Sequence, residues 1–164
     1  EHLFSQPLIK KSKDYEKLRK LASKALSKEI YNPYHGLSKH NWKKYILTFN
    51  KSYMERPAKK YLYVLRGLMA GIYVLEKGKI TPDINELNKH FKFPVVDRLV
   101  KIKTEGGEKT LTSGYPEADD LIEKLWKEID IAKENSSLPD KPSNEIKEEA
   151  NELLLEIRMS NWKL

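Results

Sequence analysis

One stretch of sequence decides the fold of this chain: Lys59-Lys60-Tyr61-Leu62-Tyr63-Val64-Leu65-Arg66-Gly67-Leu68-Met69-Ala70. It sets three cations and two tyrosines into an otherwise apolar segment. At 3.6 residues per turn, Lys59, Tyr63 and Arg66 fall on one narrow face of a helix. A second face is apolar and carries Leu62, Leu65, Met69 and Ile72. The spacing therefore predicts a packed helix with one polar side.

Arg66 is the residue of this helix whose position needs an explanation. A charged side chain midway along a packed helix has an anionic partner or reaches solvent. One interpretation is that Lys59, Tyr63 and Arg66 face a phosphate-rich ligand. The alternative is that Arg66 pairs with a local carboxylate or extends its head group to the surface. The spacing alone favours neither interpretation.

The chain has a formal net charge of +7, and that charge is divided unevenly along it. Residues 1–66 contain 16 Lys or Arg and 5 Asp or Glu, whereas residues 115–164 contain 7 and 13. A basic half and an acidic half predict contact with a polyanion on one side. The alternative is that the charges only keep the surface solvated. In that case the acidic end is a helix covered with solvated carboxylates.

Composition excludes several classes of protein and of site. Without cysteine the chain can form no disulfide and no Cys-ligated zinc site, which is compatible with a reducing compartment. The four histidines show no metal-ligand spacing. No apolar run reaches the roughly 18–20 residues that cross a bilayer. We therefore expect a cytoplasmic protein without a membrane partner and without a metal site.

Most of the tyrosines lie among the basic residues, since eight of nine occur at or before Tyr73. Aromatic rings beside Lys and Arg can stack bases while the cations hold phosphates. The alternative, favoured for any single tyrosine, is a core residue with a hydrogen-bonded hydroxyl. It applies to Tyr34, Tyr45, Tyr53 and Tyr61. Tyr63 is the exception, because it shares a face with Lys59 and Arg66.

Periodicity and helix-end signals predict an all-α, mostly helical fold. Helices are expected over about 14–28, 32–52, 56–77 and 81–90, and from Pro116 onward. Residues 99–103 alternate apolar and cationic side chains, so one short hairpin near 99–112 is allowed beside a helix there.

The chain divides into three parts by composition. Residues 1–134 form a compact multi-helix domain, and the Ser- and Pro-containing residues 135–142 form a linker. Residues 143–164 form an acidic C-terminal helix, capped by Ser143, that packs on the domain. Its buried stripe is expected to consist of Ile146, Ala150, Leu153 and Ile157.

The stretch 59–70 also resembles the helical signature of nucleotidyltransferases of the DNA polymerase beta superfamily, in particular an RNA-repair-associated branch. That pattern reads Lys-Lys-Tyr-aromatic-Tyr-Val-Leu-Arg-Pro-Leu-Leu-Ala, and Gly67 stands where Pro is usual. The segment from Gly36 to Tyr45 is similar to an upstream helix of the same family. The resemblance covers about residues 1–135. It implies that these residues correspond to the helical, C-terminal domain of the nucleotidyltransferases.

The catalytic element of that superfamily is absent from this sequence. Its members hold their metals with a Gly-Ser turn followed by an Asp-x-Asp or Asp-x-Glu pair. Here Asp119 and Asp120 are adjacent, so on a helix they point about 100° apart. A two-metal site needs carboxylates that converge on ions about 3.5–4 Å apart. The resemblance thus implies the C-terminal part of such an enzyme, with its catalytic half, and the Mg²⁺ of the intact parent enzyme, outside this chain.

The resemblance implies a substrate-binding role and no catalytic residue in this chain. The parent enzyme would transfer a nucleoside monophosphate from an NTP, and its partners would be the NTP, a nucleic acid and the missing N-terminal catalytic domain. Lys59, Lys60 and Arg66 would bind the triphosphate or the acceptor's phosphate, and Tyr63 would stack on or hydrogen-bond to the nucleotide. Lys43 and Lys44 would steer a nucleic-acid acceptor. The alternative function is a non-enzymatic basic helical module that binds RNA or DNA.

Overall fold

The computed structural model describes residues 2–4, 12–47, 58–106 and 114–161. These ranges contain seven α-helices and no strand, so the all-α prediction is confirmed for them. The helices are α1 (Tyr15–Lys24), α2 (Tyr31–Asn41), α3 (Ala58–Lys77), α4 (Ile84–Phe91), α5 (Pro94–Gly106), α6 (Pro116–Asn135) and α7 (Asn144–Asn161). Short 3-10 turns occupy His2–Phe4 and Lys28–Ile30, and a π-helical segment, Trp42–Leu47, continues α2.

Helix α3 is the centre of the fold. It packs against α2, α4, α5 and α6, and its residues Leu65, Leu68 and Met69 are completely buried. The apolar face predicted from spacing is confirmed, because its four residues, Leu62, Leu65, Met69 and Ile72, are all buried. Burial extends around most of the helix, since neighbouring helices cover several of its sides.

Two glycines of α3 let its neighbours approach closely. A Cβ at Gly71 would lie 2.7 Å from Ile129 Cδ1 of α6 and 2.9 Å from Tyr34 Cβ of α2. A Cβ at Gly67 would lie only 2.2 Å from the Oγ of Ser38, a residue of α2 that is fully buried. Gly67 therefore leaves space for Ser38 of α2. Helix α3 is also continuous through Gly67, the position where the family pattern has Pro.

The ends of the helices agree with most of the sequence signals. Helix α3 ends at Lys77, as expected from the range 56–77, and Gly78 follows it with φ +63°. Ser143 Oγ accepts from Ile146 N–H at the start of α7. One start was wrong. Asp83 caps α4 by accepting from the N–H groups of the first turn, so Thr81-Pro82 precedes the helix. Helix α2 begins at Tyr31, one residue before the expected start, because the 3-10 turn before it leads directly into that helix.

The allowed hairpin near 99–112 does not hold for residues 99–106, which lie in α5. Val95, Val96 and Leu99 are buried at helical spacing, and α5 packs on α3 through this side. The alternation of apolar and cationic residues is thus one strip of an amphipathic helix rather than a strand. Three parts of these predictions lie outside the described residues: the rest of the allowed hairpin at 107–113, Tyr53, and the expected start of the central helix at Arg56.

Helix α7 packs against α1, and Leu153 of α7 and Leu21 of α1 are both buried. Of the expected stripe, Ile146, Ala150 and Ile157 are partly buried. Residues 136–143 connect α6 to α7 without helix. The division into domain, linker and packed acidic helix stays a prediction. Within the described ranges, no helix is long and apolar enough to cross a membrane.

We expect Gly71→Ala to lower the free energy of unfolding by about 1–3 kcal/mol, because the added methyl group overpacks the contact with Tyr34 and Ile129. Urea unfolding followed by circular dichroism measures this. Gly36→Ala is the matched control, because Gly36 is also helical but has nothing within 4 Å of its Cβ position. It should stabilise the protein by about 0.5–1 kcal/mol. Stabilisation by both substitutions would contradict the close-approach argument.

Candidate functional site

Three helices enclose a cavity of about 430 Å³ beside the polar side of α3. Lys59, Tyr63 and Arg66, which spacing placed on one face, all line it. The other described lining residues are Leu62 of α3, Ile84 and Asn85 of α4, and Val100, Lys103 and Thr104 of α5. We call this the α3–α5 cavity.

The α3–α5 cavity has an apolar floor and a cationic rim. Leu62 is buried, and Ile84 and Val100 are partly buried. Lys59 and Arg66 are partly buried, whereas Lys103 is exposed. None of the described residues that line the cavity is acidic. Three cations among the described lining residues make an electrostatic environment that favours an anion.

Arg66 is a partly buried cation of the cavity lining. Its Nη1 donates a long hydrogen bond, of 3.5 Å, to the carbonyl oxygen of Pro82 in the α3–α4 connection. Bonds of this length are weak. The contact brings the guanidinium to the connection between α3 and α4, and Asn85 of α4 lines the same cavity.

Lys103 is a cation of the cavity that sequence reasoning did not select. Val100, Lys103 and Thr104 are spaced three and four residues apart, so in helix α5 they lie on one side and reach the cavity together. In a strand, Val100 and Lys103 would have pointed to opposite faces. The three residues share a side only because residues 99–106 are helical.

Lys60 belongs to a neighbouring surface rather than to the cavity. Its Nζ lies 3.7 Å from the centroid of the Tyr45 ring and 5.6 Å from that of Tyr63. Lys44 Nζ lies 5.2 Å from the Tyr45 centroid. We call Lys44, Tyr45 and Lys60 the cation–aromatic patch. Tyr63, which is 40% exposed, connects this patch to the cavity.

The structure therefore divides five of the six predicted site residues between two places. Lys59, Tyr63 and Arg66 line the cavity, and Lys60 and Lys44 form the patch. Lys43 is exposed on the same π-helical segment as Lys44 and lines no part of the α3–α5 cavity. Substrate binding by these residues stays a prediction.

Tyr34 and Tyr61 are core residues, as the alternative interpretation of the tyrosines predicted, whereas Tyr45 is only partly buried and lies under Lys60. Both core tyrosines are buried, and the Tyr61 hydroxyl donates to Asp119 Oδ1 at 2.9 Å. The Tyr61 ring also meets the Tyr115 ring edge-on, with centroids 5.2 Å apart. Asp119 is thus a partner of the core, whereas Asp120 is exposed.

The described residues do not fit a catalytic metal ion. No group of three or more His, Asp or Glu side chains in these parts of the chain could hold one. Asp119 and Asp120 diverge, and Asp119 is used by Tyr61. No step through Mg²⁺ can therefore be assigned to these residues.

Asn88 holds the second wall of the cavity in place, and sequence reasoning gave no sign of it. Its amide accepts from Phe93 N–H at 2.9 Å and donates to Phe93 C=O at 3.1 Å. It also donates to Asp97 Oδ1 at 2.8 Å. Because Asn88 is buried at the α4–α5 corner, these bonds fix the angle between the two helices that face α3.

Comparison with known proteins identifies the family of this chain. A model of the RNA repair pathway DNA polymerase beta family matches residues 1–156. The chain belongs to this family. The resemblance carried by residues 59–70 is thereby confirmed. The family match extends beyond residue 135, where that resemblance ended, and reaches into α7. No curated protein and no solved structure matches the chain.

Asn88→Ala should lower the free energy of unfolding by about 1–3 kcal/mol, because it removes three hydrogen bonds and leaves the partly buried N–H of Phe93 without its acceptor, while the Phe93 carbonyl keeps its bond from Val96 N–H. Thermal or urea unfolding measures this. Asn85→Ala, an exposed position on the same helix, should change stability by less than about 0.5 kcal/mol. Equal effects of the two substitutions would show that the α4–α5 corner does not depend on Asn88.

Proposed function

We propose that this chain is the substrate-binding helical portion of a nucleotidyltransferase that transfers a nucleoside monophosphate from an NTP. The observation that carries the proposal is the α3–α5 cavity, in which three cations and an exposed tyrosine surround an apolar floor. Family membership supplies the reaction class. The cavity supplies a place where a triphosphate and a base can bind side by side.

Each lining residue has a role that suits its chemistry. Arg66 grips phosphate oxygens with its planar fork, while Lys59 and Lys103 act as point charges. Tyr63 offers a ring at the cavity mouth on which a base stacks. The apolar floor, of which Leu62 is the most buried residue, receives the base or sugar.

We place the catalytic carboxylates and the Mg²⁺ that they bind in a half of the enzyme outside this chain. The support is that the sequence contains no Gly-Ser turn followed by an Asp pair, and that Asp119 is hydrogen-bonded to Tyr61. On this proposal the chain binds an NTP in the cytoplasm and transfers nothing by itself. Nucleotide transfer by the purified chain alone would contradict it.

Arg66→Ala should weaken ATP binding at least about tenfold, because it removes a charge-assisted phosphate contact. Arg66→Lys should lie between Arg66→Ala and the original chain, since it keeps the charge and loses the fork. Calorimetric titration measures both. Lys127→Ala is the control, because it removes the same charge from an exposed position of α6 outside the cavity. Similar losses for Arg66→Ala and Lys127→Ala would leave only a general charge effect.

The contributions of phosphate and base can be separated with inorganic tripolyphosphate. Tyr63→Ala should weaken binding of ATP severalfold and leave binding of tripolyphosphate unchanged, because only the base loses its stacking partner. Arg66→Ala should weaken binding of both. If Tyr63→Ala weakened both equally, the tyrosine would be supporting the cavity rather than the base.

The cation–aromatic patch favours the alternative function, a basic module that binds RNA or DNA without chemistry. Lys60→Ala and Lys44→Ala should each reduce affinity for a short RNA and flatten its dependence on salt by about one released counterion. ATP binding should be unaffected, because neither residue lines the cavity. RNA binding together with no detectable ATP binding would select this alternative over the nucleotidyltransferase proposal.

A further inference from the structure

The first and the last helix of the described chain carry opposite charges and lie against each other. Helix α1 has four cations and one carboxylate, whereas α7 has five carboxylates and two cations. Helix α1 belongs to the basic half of the sequence, and two of its lysines pair with carboxylates of α7. The groove between the two helices is lined by Lys17, Lys20, Leu21, Lys24, Glu149, Glu152, Leu153 and Glu156.

The charges of the two helices are in register. Lys17 Nζ lies 2.7 Å from Glu156 Oε1, and Lys24 Nζ lies 3.0 Å from Glu149 Oε1. Lys20 and Glu152 line the groove between these pairs. Both sets are spaced three and four residues apart, so the antiparallel helices match lysines to glutamates over about 10 Å. One strand of B-DNA carries about three phosphates over that length.

The contact between α1 and α7 is one that a stronger polyanion can replace. The two ion pairs are exposed, with 55% and 59% of the Lys17 and Glu156 side chains accessible. The hydrogen bond with Glu156 raises the pKa of Lys17, and the same bond lowers the pKa of Glu156, so both are charged at neutral pH. Exposed pairs contribute little to stability and are screened by salt.

The apolar part of the contact is small. Leu153 is the one buried residue of α7 among those whose side chains the structure describes. Its neighbours Leu154, Leu155 and Met159 are exposed. Leu153 and the partly buried Ile146, Ala150 and Ile157 bury less apolar surface than the many fully buried residues of α3 do.

The segment before α7 is anchored separately from it. Ser136 Oγ donates to the carbonyl oxygen of Leu75 at 2.6 Å, and the backbone N–H of Lys28 donates to Pro139 C=O at 2.8 Å. Lys28 Nζ also pairs with Asp140 at 3.0 Å. Helix α7 can therefore leave α1 while its connection to the rest of the protein keeps these bonds.

We propose that Lys17, Lys20 and Lys24 of α1 form a second polyanion-binding surface, for the phosphate backbone of a nucleic acid, which α7 covers. The carboxylates of Glu149, Glu152 and Glu156 occupy the positions of backbone phosphates, and a nucleic acid displaces α7 to bind. This surface goes beyond the proposed nucleotide site, because α1 contributes no residue to the α3–α5 cavity.

The first test opens the surface by substitution in the full chain. The variant Glu149→Gln/Glu152→Gln/Glu156→Gln should bind a fluorescent ten-nucleotide RNA at least tenfold more tightly than the control Glu123→Gln/Glu134→Gln/Glu148→Gln. Both variants gain the same formal charge, and the control residues are exposed outside the groove. Fluorescence anisotropy measures the affinity, and circular dichroism checks the helix content. Equal gains in the two variants would overturn the proposal, because only net charge would then matter.

The second test asks where the gain resides. Adding Lys17→Gln/Lys20→Gln/Lys24→Gln to the opened variant should abolish the gain, and ATP affinity should stay unchanged in every variant. A gain that survives these lysine substitutions would place the exposed surface elsewhere and overturn the assignment to α1.

DNA of the same length is tested in parallel. Gains with both polymers support backbone recognition, a gain with one identifies the ligand, and a gain with neither overturns the proposal.

The third test follows α7 in the protein without any charge substitution. Because the chain has no cysteine, Ser23→Cys in α1 and Ser160→Cys in α7 can be labelled as a fluorescence energy-transfer pair. Saturating RNA should lower transfer between the two labels, and removal of the RNA by nuclease should restore it. RNA binding through the lysine face without a change in transfer would overturn the claim that α7 covers the surface.

Discussion

The close approach of α2 and α6 to α3, made at Gly67 and Gly71, is the constraint on which the rest of the structure depends. Hydrogen atoms in place of side chains let Ser38, Tyr34 and Ile129 reach the α3 backbone. Helix α3 is thereby covered on these sides, and its large apolar residues are removed from water. A helix so enclosed has only a narrow strip left for polar side chains, and that strip carries Lys59, Tyr63 and Arg66.

The α3–α5 cavity exists because α4 and α5 do not close over that strip. The Asn88 hydrogen bonds set the corner between the two helices, and the buried Leu99 and Val96 fix α5 against α3. Cations that a core cannot accept without partners remain at the rim, where water or an anion can reach them. The proposed site is thus the place where packing around the central helix is incomplete.

The sequence predicted the central helix, its apolar face and the group Lys59, Tyr63 and Arg66, because all of these follow from the period of one helix. It did not predict Lys103, since that residue joins the cavity only through the packing of α5 on α3. Spacing left Lys60 off the face that carries Lys59, but the family resemblance gave both lysines the same role. Adjacent residues on a helix point about 100° apart, but only the position of Tyr45 shows what Lys60 meets. No residue pattern marked Asn88 as a structural residue, because its bonds to Phe93 and Asp97 depend on how the chain turns between α4 and α5.

By itself, the sequence determined the all-α class, the polar and apolar faces of α3, the opposite charges of the two ends and the family signature. These properties follow from the spacing and composition of residues that are close together along the chain. Only the tertiary structure decided that residues 99–106 are helix, which residues share the cavity, and that the acidic α7 lies on the basic α1. Each of these depends on contacts between residues far apart in sequence, whose free energies no local pattern records.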